Sequence, residues 1–251
     1  MINTGRLNST YQNFIKNLHL ISRCTQAIIV ASIIYDKHNY KFFLLDTLLL
    51  LTNSNTNQPL YIRLLDVIEN DILPKTRKGV AAGNKVFGAA ILNCADLSLI
   101  TAGTNQEIIN PIFHGEIATL NSFYQLSERE RQRTNKCIFL STHEPCSLCL
   151  SAITFAGFKT IYYFFAYEDT RNEFNIPHDL DILREVFNID DGNYKRKNCY
   201  WTAHDLGQLI RTSGLIEKKN ISVRMARINQ EYKKLSKVYQ KQKLTRLIPL
   251  D

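Results

Sequence analysis

"THEPCSLCLSAI", residues 142–153, is the stretch whose reading decides the fold. Cys146 and Cys149 stand three apart directly after Pro145, a placement that puts both on one face of the first turn of a proline-led helix. The dipole at a helix N-terminus favours their thiolate forms. Such a pair serves a redox couple, half of a closed structural zinc site, or part of a catalytic one. The rest of the chain has to choose among them.

A closed structural site needs a second pair of cysteines or histidines at comparable spacing. The other cysteines (Cys24, Cys94, Cys137 and Cys199) are isolated, and no His-x-x-x-His occurs. What the chain does hold is "HGE", His114 to Glu116, in "NPIFHGEIATLNSFYQL" (110–126). This stretch reads as a helix capped by Asn110 with Pro111 at its first position. His114, Cys146 and Cys149 as three ligands leave one tetrahedral position open for water, the arrangement of a catalytic zinc. Glu116 then lies beside that water, able to take its proton and return it to a leaving nitrogen. His-x-Glu combined with Pro-Cys-x-x-Cys is the pattern of zinc-dependent base deaminases. Zn2+ is the expected cofactor. The isolated cysteines read as small buried hydrophobes, His143 and His178 as surface or loop residues, and Trp201 as core.

Outward from these motifs the pattern alternates. Tyr61, Leu64, Leu65, Ile68 and Ile72 recur at helical spacing, with Pro74 expected to end or kink the helix. "KVFGAAIL" (85–92) and "LSLITAGTN" (97–105) read as strands joined by a turn at "NCAD". "KCIFLST" (136–142) and "TIYYFFAY" (160–167) are further strands, "EPCSLCLSAITFAG" (144–157) a helix closed by Gly157, and "DLDILREVF" (179–187) an amphipathic helix. The expected fold is α/β: three layers, α/β/α, around a central mixed five-stranded sheet. The expected organisation is an N-terminal extension over 1–58, the main domain over 59–192 and a helical extension over 193–251.

Composition bounds the function. With 45% hydrophobic and 22% charged residues the chain is neither disordered nor fibrous. Scattered cysteines imply a reducing compartment, hence a cytoplasmic protein. The run "CTQAIIVASIIY" (24–35) is shorter than the roughly 20 residues a membrane span needs, and no secretory leader is apparent, so no membrane is expected. Of the net charge of +8, residues 217–251 carry +7, with 10 basic side chains against 3 acidic, and the body is nearly neutral. In that tail Ile221, Met225, Ile228, Tyr232, Leu235 and Tyr239 step by four and three. The tail therefore reads as a helix packed by an apolar stripe, with its charges on the wet face rather than on nucleic acid.

Taken in order, the motifs resemble those of the cytidine deaminase-like superfamily, on the side of guanine deaminases and tRNA adenosine deaminases, over roughly residues 60–190. "KVFGAAIL" is similar to the family's first-strand Phe-Gly-Ala motif, and "STHEPCSLCLSAI" to its Thr-x-Glu-Pro-Cys-x-x-Cys block. "NPIFHGE" stands where the family has Asp-Pro-x-x-His-Ala-Glu, so that Asn110 and Gly115 count as mild departures, neither being a ligand or the proton shuttle. The resemblance implies that Asn105 hydrogen-bonds a substrate base and that Phe87 and Gly88 shape the pocket floor. "YEDTRNEFNIPHD" (167–179) resembles the acidic, Phe-containing segment that helps to close the pocket in guanine deaminases. The implied activity is hydrolytic deamination of a nucleobase or nucleoside, preferably a guanine-like purine, by a homodimer. Deamination of tRNA adenosine is the alternative, and a silent binding protein on this scaffold is a third.

Overall fold

A computed structural model describes residues 60–213, 218–243 and 248–250. The apolar run at 24–35, Cys24 and the N-terminal extension lie outside the described residues.

Helix α1 covers residues 60–82 and begins the described chain. Of the two outcomes expected of Pro74, ending the helix does not occur. The backbone widens to a π-helical turn over Ile68–Ile72 and resumes α-helix at Leu73–Ala82, so Pro74 falls at the start of the second segment. A proline lacks an N–H and crowds the carbonyl four residues back, and a wider turn just before it relieves both.

Strands β1 (Gly88–Asn93) and β2 (Leu99–Thr104) form the expected hairpin, its turn held by Asn93 Oδ1 accepting from the Ala95 N–H and Asp96 Oδ1 from the Ser98 N–H. Helix α2 (Gly115–Gln125) starts later than the sequence suggests. Asn110 caps no helix; its side chain accepts from the Ile112 N–H in a preceding turn, and His114 takes the cap position. Pro111 therefore sits in that turn, since an extended His114 (ψ 162°) separates it from the helix. Next come β3 (Cys137–His143), α3 (Ser147–Phe155), β4 (Thr160–Phe165), α4 (Tyr167–Phe174) and α5 (His178–Phe187). Strand β5 (Thr202–Asp205), α6 (Leu206–Thr212) and α7 (Lys218–Gln242) complete the described fold. Gly157, at φ +83°, ends α3 in a backbone region that a Cβ would strain.

Among the described residues the sheet order is β2-β1-β3-β4-β5. The β1 pairings to β2 and β3 are antiparallel, and β3, β4 and β5 run parallel, so the sheet is mixed as expected. Its fifth strand lies beyond residue 192, in the stretch expected to be a helical extension, and supplies a sheet edge.

Alternation along the strands gives two buried faces. Ala90, Leu92, Ile138, Leu140, Tyr162 and Phe164 face α1, α6 and α7. Ala89, Ile91, Phe139, Ile161, Tyr163 and Ala203 face α2 and α3. The three layers follow. In α7, Ile221, Ile228, Tyr232 and Tyr239 are buried in the first core with Met225 and Leu235 packed against it, as the stripe predicts. Trp201 is buried in the second core, its Nε1 donating to Thr154 Oγ1 at 2.7 Å. Cys137 is buried too, but Cys94 and Cys199 are exposed, because they lie in connections rather than in strands. No helix among the described residues is long and apolar enough to cross a membrane.

Candidate active site

The antiparallel register of β1 and β3 sets the start of β1 beside the end of β3, with Ala89 opposite Ser141. One residue on, Thr142 Oγ1 clamps Gly88, accepting from its N–H and donating to its carbonyl, each at 3.0 Å. Chains leave the carboxyl ends of β3 and β4 at this edge, where open α/β sheets place their ligands. Two helices begin here as well. His114 is the cap of α2 and Cys146 the cap of α3, so each motif enters the site at a helix N-terminus.

The three expected metal ligands converge. The ligand atoms of His114, Cys146 and Cys149 all lie within 4.8 Å of one another. His114 Nδ1 stands 3.5 Å from Cys146 Sγ and 3.8 Å from Cys149 Sγ. Ligands held tetrahedrally at about 2.0–2.3 Å from zinc stand about 3.5–3.8 Å apart, so these residues fit Zn2+. Glu116, in the first turn of α2, is buried beside them, with Ser141 Oγ donating to its Oε1 at 2.8 Å and Cys149 Sγ to its Oε2 at 3.4 Å.

The charges are those of a site built for proton handling. Hydrogen bonding from Cys149 holds the Cys146 thiol well below its usual pKa against the opposing effect of burial, with His114 helping. Burial and the neighbouring Cys146 thiolate push Cys149 the other way. A thiolate and a thiol sharing one proton give that proton up when a metal binds. Burial works against a charged His114, yet Cys146, Glu116 and Glu107 together hold its pKa at about 9. The Glu116 carboxyl is raised from its ordinary value, first by burial and then by Cys146, the kind of perturbation acid–base sites carry.

Among the expected substrate contacts, Phe87 lines the cavity together with His114, Glu116 and Cys146. Gly88 acts through its backbone, against which Gly115 packs. Asn105 is completely buried and bridges to α2, its Oδ1 accepting from the Gly115 N–H at 2.6 Å while its Nδ2 has no hydrogen-bond partner among the described residues. Gly115 is not the mild departure the sequence suggests. A Cβ there would stand 2.8 Å from Gly88 Cα, 2.9 Å from Gly88 N and 2.9 Å from the Phe87 carbonyl. All three are backbone atoms with nowhere to go. Gly115→Ala is expected to cost about 1–3 kcal/mol of stability, seen as a lower thermal midpoint; an unchanged midpoint would show that β1 yields freely.

Sequence reasoning missed other residues here. His143 is neither on the surface nor in a loop: it ends β3 with a buried ring packed edge-on or tilted against Phe87, Phe165, Phe174 and Tyr232. Burial pushes its pKa down to about 3, so it stays neutral. Glu144, also buried, accepts from Tyr194 Oη at 2.7 Å, Arg196 Nε at 2.8 Å and the Tyr167 N–H at 3.2 Å, tying the Pro145–Cys146 turn to later segments. Asp179, two residues after the Pro177 that caps α5, reaches the same cavity. The residue keeps some of its surface in solvent, but crowding around its carboxyl pushes the pKa well above the usual range; the Cys146 thiolate adds to this and His114 opposes it. Its only signal was membership of the acidic segment 167–179.

Residues 71–165 match the model of the cytidine and deoxycytidylate deaminase zinc-binding region. Comparison with curated proteins gives no match. Among solved structures, the chain is similar to one from studies of A-to-I editing by tRNA:A34 deaminases, at 25% identity over 38% of this chain and 67% of that one, with a TM-score of 0.33. It is similar to guanine deaminase from Bacillus subtilis at 22% identity over 51% and 81%, with a TM-score of 0.39. For guanine deaminase from Nitrosomonas europaea the identity is 20% over 65% and 81%, with a TM-score of 0.40.

Proposed function

We propose that this chain, whose residues 71–165 match the model of the cytidine and deoxycytidylate deaminase zinc-binding region, hydrolytically deaminates a free nucleobase or nucleoside, preferably a guanine-like purine. The observation that carries the reading is Glu116, a buried acid of raised pKa whose Oε2 faces a His/Cys/Cys cluster of zinc-ligand dimensions. His114 through Nδ1, with Cys146 and Cys149 through sulfur, would hold the ion. Bound zinc supplies Lewis acidity, lowering the pKa of a water from 15.7 toward about 7. Glu116 takes a proton from the attacking water as its oxygen bonds to the amino-bearing ring carbon. It passes that proton to the adjacent ring nitrogen, then carries the second water proton from the new hydroxyl to the amino nitrogen; the C–N bond breaks, and ammonia leaves while the ring keeps a carbonyl. Ser141 holds Oε1 so that Oε2 is the atom that shuttles.

Binding falls to the residues around that centre. Asn105 Nδ2 is a buried donor without a hydrogen-bond partner among the described residues, suited to a ring nitrogen or carbonyl oxygen. The Asp179 carboxyl lines the cavity and suits a lactam or amidine edge, which offers a donor beside an acceptor. His143 and Phe87 meet edge to face at 4.7 Å between ring centres and stiffen the cavity wall. A second chain completing a homodimer belongs to this proposal.

The tRNA reading has less to stand on. Arg224 pairs with Asp66 and Glu69, Arg227 with Glu69 and Lys233 with Glu173, so part of the basic face of α7 is already neutralised within the fold. Ammonia release from a panel of free bases, nucleosides and tRNA tests the choice. Turnover of a free purine supports it. Release from tRNA alone would promote the alternative, and none from any substrate would leave a binding protein on this scaffold.

A further inference from the structure

Lys85 and Glu107 form a buried ion pair that the apolar core does not call for. Gly88 faces Thr104 across the β1–β2 ladder, and the Asn105 N–H donates to the Phe87 carbonyl at 3.1 Å. Carried two pairs further out, the same register sets Lys85 against Glu107. There the side chain takes over from the backbone: the Lys85 N–H donates to Glu107 Oε2 at 3.0 Å, and Lys85 Nζ lies 3.2 Å from Oε1. The Glu107 side chain is completely buried and that of Lys85 is 8% exposed. Desolvation commonly offsets the attraction within such a pair, and apolar residues of similar size are often as stable or more so.

A third neighbour gives the pair a use. His114 Nε2 lies 4.0 Å from Glu107 Oε1, on the side of the ring away from the sulfurs that Nδ1 faces. Oε1 has a charge contact with Lys85 but no aligned hydrogen bond, although it is buried. Its lone pairs therefore remain available to a donor from the imidazole side. Histidines that bind metals through one ring nitrogen usually donate the other N–H to a carboxylate or carbonyl, which fixes tautomer and ring orientation.

We propose that Glu107, anchored by Lys85, is a positioning residue for His114, its Oε1 accepting from Nε2–H so that the Nδ1 lone pair points to the metal. This rests on the zinc reading above. The 4.0 Å separation is about 1 Å longer than an ordinary N–H···O bond, so the contact is made as the ring settles on the ion or through one water. Lys85 holds the carboxylate in place through its N–H and Nζ. Without it Glu107 would be a lone buried charge.

Two variants test this by zinc affinity, measured by competition with a chromophoric chelator, and by thermal unfolding of the metal-stripped protein. In Glu107→Gln the Lys85 N–H retains the amide oxygen at the Oε2 position, which turns the amide NH2 toward His114. Zinc affinity should fall about 10–100-fold. The double variant Lys85→Met/Glu107→Leu removes the ion pair as a unit, and should leave the metal-stripped midpoint unchanged or higher while losing affinity to the same degree. Wild-type affinity in both variants would overturn the proposal, as would losses no larger than a fall in metal-stripped stability explains. A wild-type protein that binds no zinc would remove the zinc reading itself, and this proposal with it.

Discussion

Glu116→Gln is expected to bind zinc with the stoichiometry of the unaltered protein and to deaminate about 10²–10⁴-fold more slowly, the usual contribution of a positioned acid–base group. Gln has nearly the shape of Glu, and Ser141 Oγ can donate to an amide oxygen as it does to Oε1 at 2.8 Å. Packing around α2 should therefore survive. What disappears is a group able to accept a proton and release it again, because an amide does neither near neutral pH. Glu116 is also not among the three residues of ligand geometry, so metal content should hold. Ammonia release and elemental analysis on the same preparation read the two effects apart. Turnover at the unaltered rate would move the proton shuttle to another group, with Asp179 the next carboxyl in the cavity.

The second large effect concerns stability. Deleting residues 217–251 is expected to give a chain that aggregates or fails to fold, with little RNA affinity to lose. Four side chains of α7 (Ile221, Ile228, Tyr232 and Tyr239) sit in the core on the α1 side of the sheet. Truncating one large buried side chain typically costs about 2–5 kcal/mol, and a whole domain holds about 5–15 kcal/mol. Removing four therefore takes most of that margin and exposes their apolar partners. Ser236 Oγ and Gln240 Nε2 also donate to the Phe174 carbonyl, at 2.9 and 3.0 Å, so α4 loosens with α7. Tyr232 meets His143 at 5.5 Å between ring centres, which carries the damage to the cavity wall. Solubility and tRNA binding across a salt series check this. A soluble, folded truncation that has lost tight, salt-sensitive tRNA binding would reverse the reading of the tail.

The parts of the site legible in the sequence were those set by local spacing. His-x-Glu and Pro-Cys-x-x-Cys each place two groups within one helical turn, and the intervening strand could be read from its run of apolar residues. The start of α2 was misjudged because Asn110 and Pro111 carry good helix-starting chemistry, yet the chain spends it on a turn that brings His114 to the cap. Pro74 was read as a break or a kink, and the sequence gives no sign of which wins; here its penalty is absorbed by a wider turn. Lys85, Glu107, His143 and Asp179 were invisible for another cause. Each gains its meaning from a neighbour 20 or more residues away, and no periodicity encodes such a meeting.

The bare contact between Gly115 and Gly88 has a consequence for how this site varies over generations. His114 and Glu116 are the two residues bonded to Gly115, and the backbone of residues 87–88 is the wall it rests on. Nothing flexible lies between them, so any residue larger than glycine at 115 displaces ligand and acid together, as one piece. No substitution at 88 can compensate, because a Cβ there would meet Ile72, Gly103 and Thr76 instead of making room for residue 115. Variants drifting there are expected to lose metal affinity and turnover in step, never one without the other. Selection on either property then polices both, and the two functions are inherited as a single trait.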